Sequence, residues 1–175
     1  EFGSVAPKGF TTVDADHKAT VQPLMINYPN IGNAYAYIVI NQQPEPEGAD
    51  WRNIYPRSGD QLLATMATAD GTEAVDWIIS DQMTARNDAK FRFYAKSYDG
   101  DNTYHPWAYL TVLVSTTDNA VSSFTPLSGF TSVQVPHKNN NDSQTSWTEF
   151  DVDLSACLLY IVLLTLLRFL RQQQR

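Results

Sequence analysis

Asp14-Ala15-Asp16-His17 is the first stretch of the chain whose residue types could do chemistry. Alternate residues of an extended segment point to the same side, so Asp14 and Asp16 present their oxygens together. Asp99-Gly100-Asp101-Asn102 gathers several more oxygens into one turn. A hard cation such as calcium accepts either set. The EF-hand spacing is missing, however, because no glycine and terminal glutamate follow Asp99 at the required offsets. The expected state of both stretches is a solvated strand edge and an Asx turn, with no metal and no cofactor.

Catalytic signatures are weaker still. The chain has no Gly-x-Ser-x-Gly elbow, and Cys157 stands in an apolar run that keeps a thiol protonated and inert. His17, His105 and His137 have no serine or carboxylate at a diagnostic spacing. Any chain with 19 acids brings some pair of carboxylates to glycosidase distance, and nothing selects one. The expectation is a protein that is not an enzyme.

Recognition is better supplied. Trp51, Tyr55 and Arg57 lie in one long segment, 42–60, and Asp99, Asp101, Tyr104, His105 and Trp107 in another, 98–107. Aromatic rings beside Asp, Asn and Arg suit sugars, whose apolar faces stack while their hydroxyls bond. The same residues suit a protein receptor, since Trp, Tyr and Arg dominate interface hot spots. These eight residues are the candidate ligand-binding set. The alternative is that they fold inward and close one end of the domain.

The elements that must position them read as strands. Short segments rich in Val, Ile, Thr and aromatics alternate with Gly, Pro, Asn and Asp. Strands are expected near 9–13, 19–26, 34–41, 61–68, 74–80, 90–97, 107–115, 120–125, 130–135 and 147–154, with a helical turn or two over 80–90. In 147–154, Phe150, Val152 and Leu154 interleave with Glu149, Asp151 and Asp153, which means one buried and one wet face. AYAYIVI and LTVLV are apolar on both faces and should be central. About ten short strands without amphipathic helices predict an all-β, antiparallel sandwich or jelly roll.

Composition narrows the class. The whole chain carries a formal charge of −7, and residues 1–154 carry 9 Lys and Arg against 19 acids, or 9 − 19 = −10. Such a body repels phosphate backbones, so nucleic acid is not an expected partner. One cysteine allows no intrachain disulfide. Glu1-Phe2-Gly3-Ser4 reads as a cloning remnant and is set apart from the domain, 5–154. Asn141-Asp142-Ser143 is a glycosylation sequon in a polar loop.

The tail, 155–175, stands apart as well. ACLLYIVLLTLL, 156–167, is too short to span a bilayer as a helix and is followed by Arg168 and Arg171. Ser155 is a candidate N-cap, and a buried terminal helix is preferred to a strand. An apolar surface docking onto another chain, or a linker-adjacent segment of a larger polyprotein, is the next reading, ahead of membrane attachment.

One pattern is left over. GFTTVDADHK, 9–18, and GFTSVQVPHK, 129–138, agree at six of ten positions. The match reads as two strands of similar design, adjacent in one sheet. A weaker echo pairs AYIVI, 36–40, with LYIVL, 159–163, and would make the tail a strand.

In overall style this is a β-sandwich surface module, of the kind seen in viral capsid projections, adhesins and carbohydrate-binding modules. The expected function is attachment at an extracellular or virion surface, to a glycan or protein receptor through the two aromatic loops. A self-assembling coat subunit, homo-oligomeric through strand edges or the tail, is the first alternative. A secreted glycan-active enzyme is the second.

Overall fold

The computed structural model describes residues 6–22, 30–41, 56–84, 86–97, 107–136, 147–157 and 162–170. For Trp107 and for 162–170 the backbone alone is described. The chain forms β1 (Phe10–Asp14), β2 (Ile38–Asn41), β3 (Gln61–Ala64), β4 (Asp76–Ser80), β5 (Lys90–Ala95), β6 (Trp107–Ser115), β7 (Thr125–Val135), β8 (Thr148–Asp153) and β9 (Val162–Leu170). A five-stranded sheet runs β1-β4-β9-β6-β7, and β2 pairs with β3 and β5 with β8. Every pairing is antiparallel. The all-β sandwich expected from the strand spacing is therefore the observed fold.

The core follows from period-two alternation. Ala108, Leu110 and Val112 of β6 project to one face and are at most 2% exposed. Val135 of β7, Phe150 and Val152 of β8, Leu154 and Cys157 join them, with Phe91 and Phe93 of β5 packed against the cluster. Phe93 stacks on Phe150 with ring centroids 5.1 Å apart. The β5–β8 pair thus lies over the large sheet and closes the main core between the two layers.

The opposite face of the large sheet is apolar too. Ile79 and Leu113 pack with Phe124, and Val13 and Trp77 flank them. Phe124 follows a 3-10 turn at Val121–Ser123, where a strand was expected at 120–125. That turn places the ring edge-on to Trp77, with centroids 6.5 Å apart. A third cluster joins Tyr35, Ile38 and Ile40 to Leu62 and Ala64 around β2 and β3.

Three further expectations about individual segments need correction. The apolar tail is not a helix: Val162–Leu170 is a strand between β4 and β6. Its neighbours Val112 and Ile79 stand on opposite faces, both lined by apolar residues, so a strand here needs apolar residues at odd and even positions alike. An all-round apolar run of this length cannot be told from a buried helix by periodicity. Segment 80–90 forms no helix among its described residues. Of 19–26, only Ala19 and Thr20 make bridges, to Ala34 and Thr68, and 23–26 lie outside the described residues.

The two GFT segments share a sheet but sit at its opposite edges, in β1 and β7. Their likeness is one of backbone geometry. Gly9 and Gly129 have φ of 84° and 83°, a left-handed conformation that a side chain would strain. Gly9 turns the chain into β1, and Gly129 lies where the β6–β7 register slips.

Because β9 joins β1–β4 to β6–β7 among the described strands, a break in it should unfold the domain. Thr165→Pro removes a central ladder donor and should abolish the cooperative thermal transition seen by circular dichroism. Leu110→Ala, at a fully buried site, should lower stability by about 2–5 kcal/mol in urea denaturation. A Thr165→Pro protein with unchanged melting would refute the central position of β9.

Candidate functional site

Antiparallel register brings one set of strand ends together. The end of β5, the start of β6, the end of β7 and the start of β8 meet, since Ala95 opposes Thr148 and Ala108 opposes Val135. The Ser97 amide donates to the Pro136 carbonyl at 3.2 Å and ties two of these ends. Connections 98–106 and 137–146 therefore leave and return at one end of the sandwich. Asp76, which opens β4, is in register with Leu167 of β9, which opposes Leu110 of β6. The end of β1 and the start of β4 accordingly belong to the same end of the large sheet.

Two groups of side chains stand there. The first is acidic. Asp14, Asp16 and Asp76 bring carboxylate oxygens within 4.8 Å of one another. Asp14 is the last residue of β1, and its Oδ1 accepts the His17 amide at 2.7 Å. Asp16 lies beyond the strand, accepting the Lys18 amide through Oδ1 and the Val75 amide through Oδ2, at 2.8 and 2.6 Å. Asp16 thus forms an Asx turn of its own, whereas the Asx turn expected at 99–102 lies outside the described residues. The expected solvated strand edge is not found, because the turn folds Asp16 back over the start of β4.

Asp76 is the residue sequence reasoning missed. It is 3% exposed and accepts a hydrogen bond from Thr65 Oγ1 at 2.5 Å. Burial pushes its carboxyl up to about 7, against the pull of the Thr65 bond, and the charges of Asp16 and Asp14 add to the rise. Beside it lies Tyr37, 4% exposed, whose hydroxyl has no hydrogen-bond partner among the described residues. Burial and then the Asp76 charge raise the Tyr37 pKa well above the ordinary tyrosine value. Lys18 is turned away to Thr72 and Asp70, leaving the cluster without a cation among the described residues. Thr72 bonds hold Asp70 down to about 2.

Three carboxylates are an oxygen-only donor set, which suits a hard divalent cation such as calcium. A proton on Asp76 is the other way to relieve the repulsion.

The second group is aromatic and cationic. On the outer face of β5–β8, Lys90 opposes Asp153, Arg92 opposes Asp151 and Tyr94 opposes Glu149. Arg92 bridges Asp151 at 3.0 Å and Glu149 at 3.1 Å, and Lys90 reaches Asp151 at 3.6 Å. Tyr94 donates its hydroxyl to Glu149 at 2.5 Å. Arg57 lies over the Tyr94 ring, 3.6 Å from its centroid, and Lys96 lies 5.0 Å from the Trp147 ring centroid. Both are cation–π arrangements.

Of the expected ligand-binding residues, Arg57 is thus placed on this face, and Trp107 opens β6 at the same end. Trp51, Tyr55, Asp99, Asp101, Tyr104 and His105 lie outside the described residues. Tyr94 and Trp147 stand outside the expected set. In KFRFYAKS, Tyr94 alternates with the inward Phe91 and Phe93, and the register supplies Glu149 as its partner.

No protein-family model matches the chain, and no curated protein matches its sequence. Solved structures do match in fold. The K2 cleaved adhesin domain of Lys-gingipain aligns over 94% of this chain and 91% of its own, at 20% identity and a TM-score of 0.52. The K1 cleaved adhesin domain of Lys-gingipain from Porphyromonas gingivalis W83 aligns over 96% and 94%, at 16% identity and a TM-score of 0.51. These values establish a shared β-sandwich architecture. Among the described residues no helix is long and apolar enough to cross a membrane.

A cation at the acidic cluster should register in stability. Adding millimolar calcium to chelator-treated protein at neutral pH should raise the melting temperature by about 5 °C or more. Asp76→Asn, which keeps the shape and removes the charge, should melt higher than wild type without calcium and lose the response. Equal melting of wild type in calcium and in EDTA would leave the proton as the sole relief of the repulsion.

Proposed function

We propose that this domain is a non-enzymatic, adhesin-like recognition module displayed outside the cell, binding a glycan or protein receptor through the loops 42–60 and 98–107. The observation that carries the reading is the meeting of the strand ends that flank 98–106 and 137–146 at one end of the sandwich, together with the stacking of Arg57 on Tyr94 and of Lys96 on Trp147. Loops gathered at one end of a two-layer scaffold can vary without disturbing the core. Arg57 belongs to the first of these loops and Trp107 closes the second. Tyr94 of β5 and Trp147, just before β8, extend the candidate surface.

The architecture shared with domains described as adhesins supports the same reading. So does the acidic body, which favours neutral or sparsely charged ligands over polyanions. The acidic cluster at the same end gives the loops a braced base, by holding the β1–loop junction against β4.

A glycan array and a cell-binding assay with the intact chain test this. Trp51→Ala, Trp107→Ala and Trp147→Ala, each checked for native melting, should each weaken binding about tenfold or more, as hot-spot aromatics do. Binding to no glycan and no cell, or binding indifferent to all three substitutions, would overturn the proposed surface.

A further inference from the structure

Arg57 is set apart from the other cations of its face. Lys90 and Arg92 are each bridged to carboxylates, and Lys96 rests on Trp147. Arg57 is exposed, its described contact is the face of Tyr94, and no carboxylate among the described residues pairs with it. Stacking occupies the flat face of a guanidinium and leaves its N–H edge directed outward. The stack is held from both sides. Tyr94 is fixed by its bond to Glu149, which Arg92 holds in turn, and Arg57 follows Pro56, which is fully buried. Such a fork is preorganised for a planar anion with two oxygens, and matches a carboxylate in bidentate fashion.

The surroundings limit the carrier of that carboxylate. Glu149, Asp151 and Asp153 stand on the adjacent rungs and would repel a second or third negative charge. The same rungs offer paired donors and acceptors to hydroxyl groups. One rung beyond Tyr94, about 7 Å along the strand, Trp147 carries the next ring of the row. One carboxylate, several hydroxyls and a face that can lie near an aromatic ring describe a sugar acid.

We infer that the Arg57–Tyr94 stack is the docking point for the carboxylate of a singly charged sugar acid, a uronic or sialic acid residue of a glycan. The inference rests on the recognition reading above and names its ligand class. Arg57 receives the carboxylate through its N–H edge, Tyr94 holds the guanidinium plane, and the Glu149–Arg92 pair holds Tyr94.

The test is a titration of the intact, isotope-labelled chain followed by NMR, with N-acetylneuraminic acid, glucuronic acid, their methyl esters, neutral glucose and a short Asp/Glu peptide as probes. The acids should move the Arg57 side-chain resonance, and the methyl esters should bind about tenfold more weakly or not at all. Arg57→Lys keeps the charge but not the fork and should weaken binding about tenfold. Arg57→Gln should abolish it. Tyr94→Phe, which retains the ring, should bind within about twofold of wild type, whereas Tyr94→Leu should resemble Arg57→Lys.

Equal binding of acid and ester, or full binding by Arg57→Gln, would overturn the inference. Tighter binding of the acidic peptide through Arg57 would overturn the sugar and assign the fork to a protein partner. Neutral glycans that bind regardless of Arg57 would remove this inference while leaving the recognition surface standing. Absence of any binding, on the array and in the titration, would remove both.

Discussion

The ladder between β9 and its two neighbours is the constraint on which the rest of the structure depends. Ile78 of β4 and Val112 of β6 oppose the same residue, Thr165, from its two sides. Without that shared rung the large sheet falls into two antiparallel pairs, β1–β4 and β6–β7. Neither pair has the width of an independently stable sheet. The cluster of Ile79, Leu113 and Phe124 needs the join, because Leu113 and Ile79 come from the two strands that flank β9. The strand that completes the sheet lies some 150 residues from β1 in the chain, so the sheet closes through pairings distant in sequence. Such topologies fold slowly for the loop entropy they must overcome.

The same register decides what stands at the loop-bearing end. β9 holds the start of β4 level with Leu110, and this brings Asp76 to a position that the rest of the sheet gives to apolar residues. A buried carboxylate beside two others is tolerable only with strong local partners. Thr65 and the amides that Asp14 and Asp16 accept supply part of that, and a proton or a cation supplies the remainder. The cluster thus couples four places: the end of β1, the turn after it, the segment after β3 and the start of β4. A base fixed in this way limits the disorder that the scaffold retains at this end, and such disorder weighs against any binding there.

How far the sequence revealed this depends on the element. Strand β6 was legible to the residue, because Trp107–Ser115 is bounded by turn-forming Pro106 and Asp118 and is rich in β-branched residues. β8 was legible from strict alternation. The tail was not, because a central strand with two apolar faces has no periodicity to distinguish it from a buried helix, and the weak echo of AYIVI was its only hint. Asp76 was hidden for a related reason. In AVDWIIS the eye follows Trp77 and the isoleucines, and nothing local says that Asp14 and Asp16 will arrive opposite it. Pairing across 60 residues is a property of register, which local pattern does not encode.

Arg57 shows the complementary case, a residue whose chemistry was legible and whose partner was not. Its place in an aromatic loop marked it for recognition, yet the ring described against it, that of Tyr94, comes from β5. That distinction matters for what the surface can do. An arginine held by its own loop would be free to swing among partners, and its ordering would weigh against binding. One stacked on a strand residue, whose hydroxyl is tied to a bridged glutamate, has lost that freedom before a ligand arrives. The salt-bridged rungs beside it contribute little to stability in water. Their role is positional: they keep Tyr94 in place and surround one uncommitted guanidinium with committed acids. Selectivity at this end of the sandwich then comes as much from the charges that would repel a polyanion as from the fork that accepts a single carboxylate.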